Sequence, residues 1–296
     1  MKIKRLLLFS LVVAMFLTSA VSIHAIENVE EPEANLNQEM TLPTEEQILA
    51  AEEKTEDMSR LVELLGLSES YQRRNNSIMT DDDMSEAIAI IEKYNNGELP
   101  ENSILTGNRY LRAPRKQKWL DNMVLVKQSN GYYCGPASAY MVLKAAGAKN
   151  ITQAILAKSL GTNTAGTGLG DKWPDTLNAY ANHYYSIKWA GAYTPIDITD
   201  SAIGTLASGY GVVYNTIQYN SDKQKTKPQD RLIGYPSYLA SDIYHYVAGY
   251  GFDASNPNYR YCYYMDSTNV RDSAYGTHYI PFGTMYTLIK DRGLIF

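Results

Sequence analysis

The sequence has 296 residues, 45% of them hydrophobic, and carries 27 Lys and Arg against 32 Asp and Glu, a net charge of -5. Such a chain can bury a full core, in one large domain or two ordinary ones. Its acidic balance, with no basic stripe of interleaved aromatics, argues against a nucleic-acid-binding surface.

The charge is unevenly placed. From Ile26 to Gly107 about twenty carboxylates face about five basic groups, whereas from Trp119 onward the two signs nearly balance. The 25 tyrosines fall almost entirely after Asn108, which suits a β-rich domain with wet grooves.

Lys2, Lys4 and Arg5 precede the apolar run Leu6 to Leu17, and small residues follow up to Ala25. This is the pattern of a secretory signal peptide over residues 1–25, cleaved after Ala25 or, as second choice, after Ala20. The run is short for a membrane span, and no later stretch reaches the roughly 18–20 apolar residues that a span requires. No cysteine near the cleavage site offers a lipid anchor. The mature chain is expected to be secreted, extracellular or cell-wall associated, with no membrane span.

Residues 26–118 read as an acidic prosegment or spacer, part disordered and part helical. Ile26 to about Met40 carries Pro32 and no periodicity, so it is expected to be disordered. Thr44, with Gln47 three residues on, opens a helix whose apolar positions are Ile48, Ala51, Leu61, Leu64 and Leu65, stopping before Gly66. A second helix is expected from Met84 to Tyr94, capped within Asp81–Asp83 and stopped at Gly97. Those three aspartates lack the glycine and terminal glutamate of an EF-hand loop, so they read as an acidic first turn. Arg109, Arg112, Arg115, Lys116 and Lys118 then cluster around Pro114. The cluster is either an exposed processing site, which would release an intramolecular acidic prosegment, or a solvated linker.

Residues 119–296 have the texture of a folded domain. Met123–Val126 is a short strand or extended approach to Gln128. A helix from Ala137 to Ala146 follows, with Pro136 in its first turn and Gly147 at its end. Thr152 caps a helix that runs to Leu160 and closes at Gly161. The glycine-rich GTNTAGTGLGDKW precedes a third helix, Trp173 to Ala181. It lacks both the Gly-Lys-Ser/Thr ending and the preceding strand of a phosphate loop. Strands are expected at Gly211–Ile217, Tyr244–Gly251, Tyr259–Met265 and Thr277–Pro281. Between the first two, SDKQKTKPQDRLIGYPSYLASD is too long and polar for a hairpin and reads as a surface excursion near the site. A last helix covers Phe282 to Asp291. Helices first and strands after predict an α+β domain, its helices packed on an antiparallel sheet.

The chemistry centres on QSNGYYCGPASAYMVLKAAG, residues 128–147. It sets Cys134 at a helix start, where unpaired N–H groups and the helix dipole favour the thiolate. Gln128, six residues upstream, can supply a side-chain N–H to a developing oxyanion. Four histidines are available as base. His24 lies in the signal peptide, His183 reads as a capping or surface residue, and His278 reads as a structural strand residue. His245 opens the apolar strand YHYVAGYG, a rigid element that can aim a base. Asp266 closes the next strand, YRYCYYMD. If the two strands are antiparallel neighbours, it falls beside His245 and can fix the imidazole tautomer. Cys262 reads as a buried core thiol, with a Cys134–Cys262 disulfide as the alternative that would silence the site. With no paired histidines at ligand spacing, neither zinc nor another cofactor is expected.

Tyr133-Cys134-Gly135-Pro136-Ala137-Ser138, with Gln128 upstream, resembles the papain-like cysteine peptidases of family 39, which include bacteriocin-processing peptidases and stand-alone secreted relatives. LAKSLGTNTAGT with WPDTLNAY, HYVAGYG and YYMDSTN resemble its other blocks, over roughly Leu125 to Gly293. The resemblance implies a papain-like fold, Cys134 as nucleophile, His245 as base, Asp266 as orienter and Gln128 as oxyanion donor. Two positions depart from the family pattern. Tyr244 stands where a glycine usually precedes the histidine, crowding that approach. Ser267-Thr268 replaces a Pro-Trp pair after the aspartate, which leaves Asn269 as an alternative orienter. The expected activity is an exported thiol peptidase acting on a peptide or protein. The alternatives are an acyltransferase or transpeptidase using the same residues, and an inactive cell-surface binding module.

Overall fold

Local signals set most of the helices. Thr44 accepts from the Gln47 backbone N–H while the Gln47 side chain accepts from Thr44 N–H, a full capping box that starts α1 (Glu45–Leu64). Thr80 and Asp83 do the same for α2 (Asp81–Lys93), so the cap is Thr80 and the aspartates fill the first turn. Thr152 and a left-handed Gly161, φ 69°, bound α4 (Gln153–Leu160) as the sequence suggests. α3 (Cys134–Ala145) starts three residues before the expected Ala137, so that Cys134 is its first residue. α5 (Lys172–Asn178) and α7 (Phe282–Ile289) are shorter than expected at their C-terminal ends. α6 (Pro195–Ala207), started by a Thr194–Asp197 capping box with proline in its first turn, is an unexpected addition.

The computed structural model describes residues 40–41, 43–68, 79–106, 116–223, 227, 229–256 and 258–296. The signal-peptide reading of residues 1–25, the disorder expected from Ile26 and most of the basic junction lie outside the described residues. All described residues belong to one compact unit, and none of their helices is long and apolar enough to cross a membrane.

A seven-stranded antiparallel sheet backs the helices. Its strands are β1 (Gln117–Trp119), β2 (Ile187–Trp189), β3 (Val212–Gln218), β4 (Ile243–Asn256), β5 (Tyr259–Asp266), β6 (Gly276–Pro281) and β7 (Gly293–Ile295). The order is β2-β7-β3-β4-β5-β6, with β1 paired to the far end of β4. Met123–Val126 forms no strand; residues 117–119 take the pairing instead. The fold is α+β.

The N-terminal helices share the core of this sheet. Met58, Leu61, Val62 and Leu65 of the α1 region are buried in the same cluster as Val212, Val247 and Leu294, each contributing about 1.5–3 kcal/mol of burial. Met58 packs so tightly on α6 that a Cβ on Gly204 would lie 2.8 Å from its sulfur. Lys54 is fully buried as well. Its Nζ donates to the main-chain oxygens of Tyr184 and Phe296, the latter at 2.8 Å, and meets His183 Nε2 at 3.2 Å. His183 is therefore a buried partner of Lys54 and of Asn95, at 2.7 Å, rather than a capping or surface residue. Burial, and then the charge of Lys188, holds Lys54 well below the usual lysine range.

Candidate active site

Cys134 opens α3 with Tyr133 as N-cap, and no side chain caps the helix. The first-turn N–H groups are thus left for another acceptor. The glycine-rich loop before α5 lies directly on this helix start. A Cβ on Gly135 would fall 2.4 Å from Thr167 Oγ1, and Thr167 is itself held by Thr162, hydroxyl to hydroxyl at 2.8 Å. Only glycine lets the loop approach this closely.

His245 and Asp266 come together as antiparallel neighbours. Ala248 pairs with Met265, so continuing that register sets Asp266 opposite Val247, diagonal to His245 on the same face. His245 Nε2 and Asp266 Oδ1 are 2.8 Å apart, and both residues are buried. Asp266 takes Nε2 and so leaves Nδ1 for another partner, and the Cys134 thiol is among the groups that favour charge on the ring. Burial alone would lower the imidazole pKa. The Asp266 charge and hydrogen bond, then Cys134, outweigh it and push His245 up to about 10. Asp266 Oδ1 also accepts from Thr268 N–H at 2.9 Å. Asp266, and not Asn269, is therefore the carboxyl or amide partner of His245.

Gln128 is buried, and its backbone N–H donates to Ser267 O at 2.7 Å, tying the segment before α3 to the end of β5. Its side-chain Nε2 donates to Asn130 O at 2.8 Å. An amide nitrogen carries two hydrogens, so one remains for a further acceptor.

Tyr244 does not crowd the histidine. Strand alternation turns it to the face opposite His245, where the Arg292 guanidinium lies over its ring at 5.0 Å. Both cysteines are free. Cys262 is fully buried with its thiol donating to Ile280 O at 3.4 Å, and burial pushes its pKa up. His278 sits on β6 with Nε2 2.8 Å from Ala274 O, a structural contact. The sequence gives no hint of Tyr235. This residue of the long excursion donates its hydroxyl to Asp266 Oδ2 at 3.3 Å, with its ring centroid 6.0 Å from that of His245.

A cysteine at a helix start, coupled in charge to a histidine that a buried carboxylate orients, on helices backed by an antiparallel sheet, is the arrangement of papain-like cysteine peptidases. The chain belongs to the Peptidase_C39 like family, which matches residues 120–289, more than half of its length. No curated protein and no solved structure matches the chain. The matched stretch begins just after β1 and ends with α7, so it takes in all four candidate site residues.

Proposed function

We propose that the protein is an exported cysteine peptidase that cleaves a peptide or amide bond through an acyl-enzyme on Cys134. The observation that carries this reading is His245, hydrogen-bonded to Asp266 and with its charge favoured by the Cys134 thiol. A raised imidazole pKa beside a thiol favours the thiolate–imidazolium pair, the nucleophilic form.

The thiolate attacks the carbonyl carbon, a C–S bond forms, and the carbonyl oxygen becomes an oxyanion. The Cys134 N–H at the uncapped helix start and the remaining N–H of Gln128 would receive it. His245 gives its proton to the leaving nitrogen as the C–N bond breaks. The now neutral imidazole takes a proton from water, which attacks the thioester and releases the acid and the thiol. Asp266 keeps the imidazole in the tautomer that both steps require.

Export rests on residues 1–25 and the acidic segment is proposed to act in cis. Its helices share the core with the peptidase elements, which favours a segment that stays docked over one that is shed. The free state of both cysteines removes the disulfide that would favour an inactive binding module.

The test is a peptide-library cleavage profile with added amine acceptors, run on wild type and Cys134→Ala. Cleavage lost in the variant supports the peptidase. Products dominated by the acceptor would point to a transferase. No cleavage by wild type, with no reaction between iodoacetamide and Cys134 at mildly acidic pH, would sink the enzymatic reading.

A further inference from the structure

Tyr235 belongs to a stretch pinned to the site from several sides. Leu232 N–H donates to Gln218 Oε1 at 3.0 Å and Ile233 N–H to Tyr264 Oη at 2.9 Å. Gly234, at φ +85°, passes so close to the next loop that a Cβ there would lie 2.1 Å from Ser273 O. Ser273 Oγ in turn donates to Gly234 O at 2.9 Å. The Arg271 guanidinium lies over the Tyr235 ring at 5.8 Å. The side chain is therefore aimed, and what it meets is the second oxygen of Asp266.

Asp266 is fully buried, and a buried carboxylate requires donors on both oxygens. His245 and Thr268 N–H hold Oδ1, and the Tyr235 hydroxyl holds Oδ2. We propose that Tyr235 is a positioning residue of the peptidase site, fixing the Asp266 carboxylate and setting how much of its charge His245 experiences. This inference rests on the function proposed above. A hydroxyl dipole pointed at the carboxylate draws part of the negative charge away from the imidazole. With the hydroxyl removed, the imidazolium gains stability while the carboxylate loses one of its anchors. Burial and the Asp266 and Cys134 charges hold the Tyr235 phenol well above its usual pKa, so it remains a donor over the working range.

Tyr235→Phe keeps the ring and its packing and removes only the donor. The readout is the rate of Cys134 alkylation by iodoacetamide from pH 5 to 11, which needs no substrate. The expected result is an alkaline limb displaced upward by on the order of half a pH unit. The same substitution in an Asp266→Asn background should leave the limb where it was, because the charge that the hydroxyl tempers is gone. An unmoved or lowered limb in Tyr235→Phe, or an equal displacement in the Asp266→Asn background, overturns the inference. A wild type that reacts with iodoacetamide alongside an unchanged Tyr235→Phe sinks this inference alone, whereas an unreactive wild type sinks the proposed function with it.

Discussion

His245 Nε2 lies 2.8 Å from Asp266 Oδ1, with both residues buried and 21 positions apart in the chain. Two strand ends make this contact, the start of β4 and the end of β5. A buried histidine by itself is driven towards the neutral form, so the charge on His245 depends on the carboxylate. The state of the Cys134 thiol then depends on a residue that does not touch it.

Asp266→Asn is the direct test of that dependence. The amide keeps the shape and can still accept from Thr268 N–H, but the charge is gone. With Asp266 the imidazolium is retained up to about pH 10 and lost above it. In the variant burial is opposed only by Cys134, so the His245 pKa falls. The alkaline limb of Cys134 alkylation should move down from near 10, and peptide turnover should drop by about 10²–10⁴. Measuring alkylation from pH 5 to 11 checks this; a limb that stays near 10 would mean that Asp266 does not set the charge.

Gly135→Ala addresses the loop that rests on the nucleophile helix. The new methyl group would lie 2.4 Å from Thr167 Oγ1 and 2.8 Å from Thr167 Cβ. Overpacking of this kind costs about 1–3 kcal/mol, and the shift it forces falls one residue from Cys134. We expect lower stability to urea and slower alkylation of Cys134. Pairing it with Thr167→Gly should recover much of both losses, since the two sites share one contact. Strictly additive losses in the double variant would refute the steric account.

Cutting the chain between residues 107 and 115 should not separate the acidic segment from the peptidase elements. α1 buries Lys54 against Tyr184 and Phe296 and seats Met58 on Gly204. After limited proteolysis the two fragments should co-elute on size-exclusion chromatography without denaturant. Lys54→Ala takes a donor from the Tyr184 oxygen and leaves Phe296 O with Ser186 N–H alone, at about 1–3 kcal/mol, and should loosen the association. Separation of wild-type fragments under native conditions would overturn this docking.

What the sequence reveals divides along physical lines. Thr152 with Gly161, and Thr44 with Gln47, are local hydrogen-bonding signals, and the helices they bound lie where expected. Cys134, His245 and Asp266 are legible because each sits at the end of an element with a strong pattern. α6 is hidden despite its Thr194–Asp197 capping box, because Ile198 to Ala207 is buried on every side and lacks the polar face that marks a surface helix. β1, β2 and β7 are three residues each and exist through their partners. Lys54 carries no local signal of its burial, because its acceptor Phe296 lies 242 positions away. Tyr235 stands in a polar excursion where nothing local marks it as a neighbour of Asp266.

Lys188 offers a pH test independent of catalysis. It is fully buried on β2, with Nζ donating to Ser201 Oγ at 2.6 Å and lying over the Tyr193 and Phe296 rings at 4.6 and 5.0 Å. Burial lowers its pKa to about 7, against the opposing pull of Asp197 and Asp200. An unfolded lysine titrates near 10.4, so between about pH 7 and 10 the unfolded chain holds a proton that the native state has released. Folding stability from this group therefore rises with pH across that window and is lost as pH falls through it. His245, with its pKa raised to about 10, acts in the opposite sense: its contribution is complete below about 6.5 and disappears as pH rises towards 10. The two slopes partly cancel in the wild type, so the whole-protein curve does not isolate either group. The difference between wild type and Lys188→Met does. From pH 7 to 10 the wild type should gain on the variant by up to about 1.4 kcal/mol per pH unit. Urea unfolding at pH 7, 8.5 and 10 reads that difference, and a constant gap across the three would show that Lys188 keeps its proton in the folded protein.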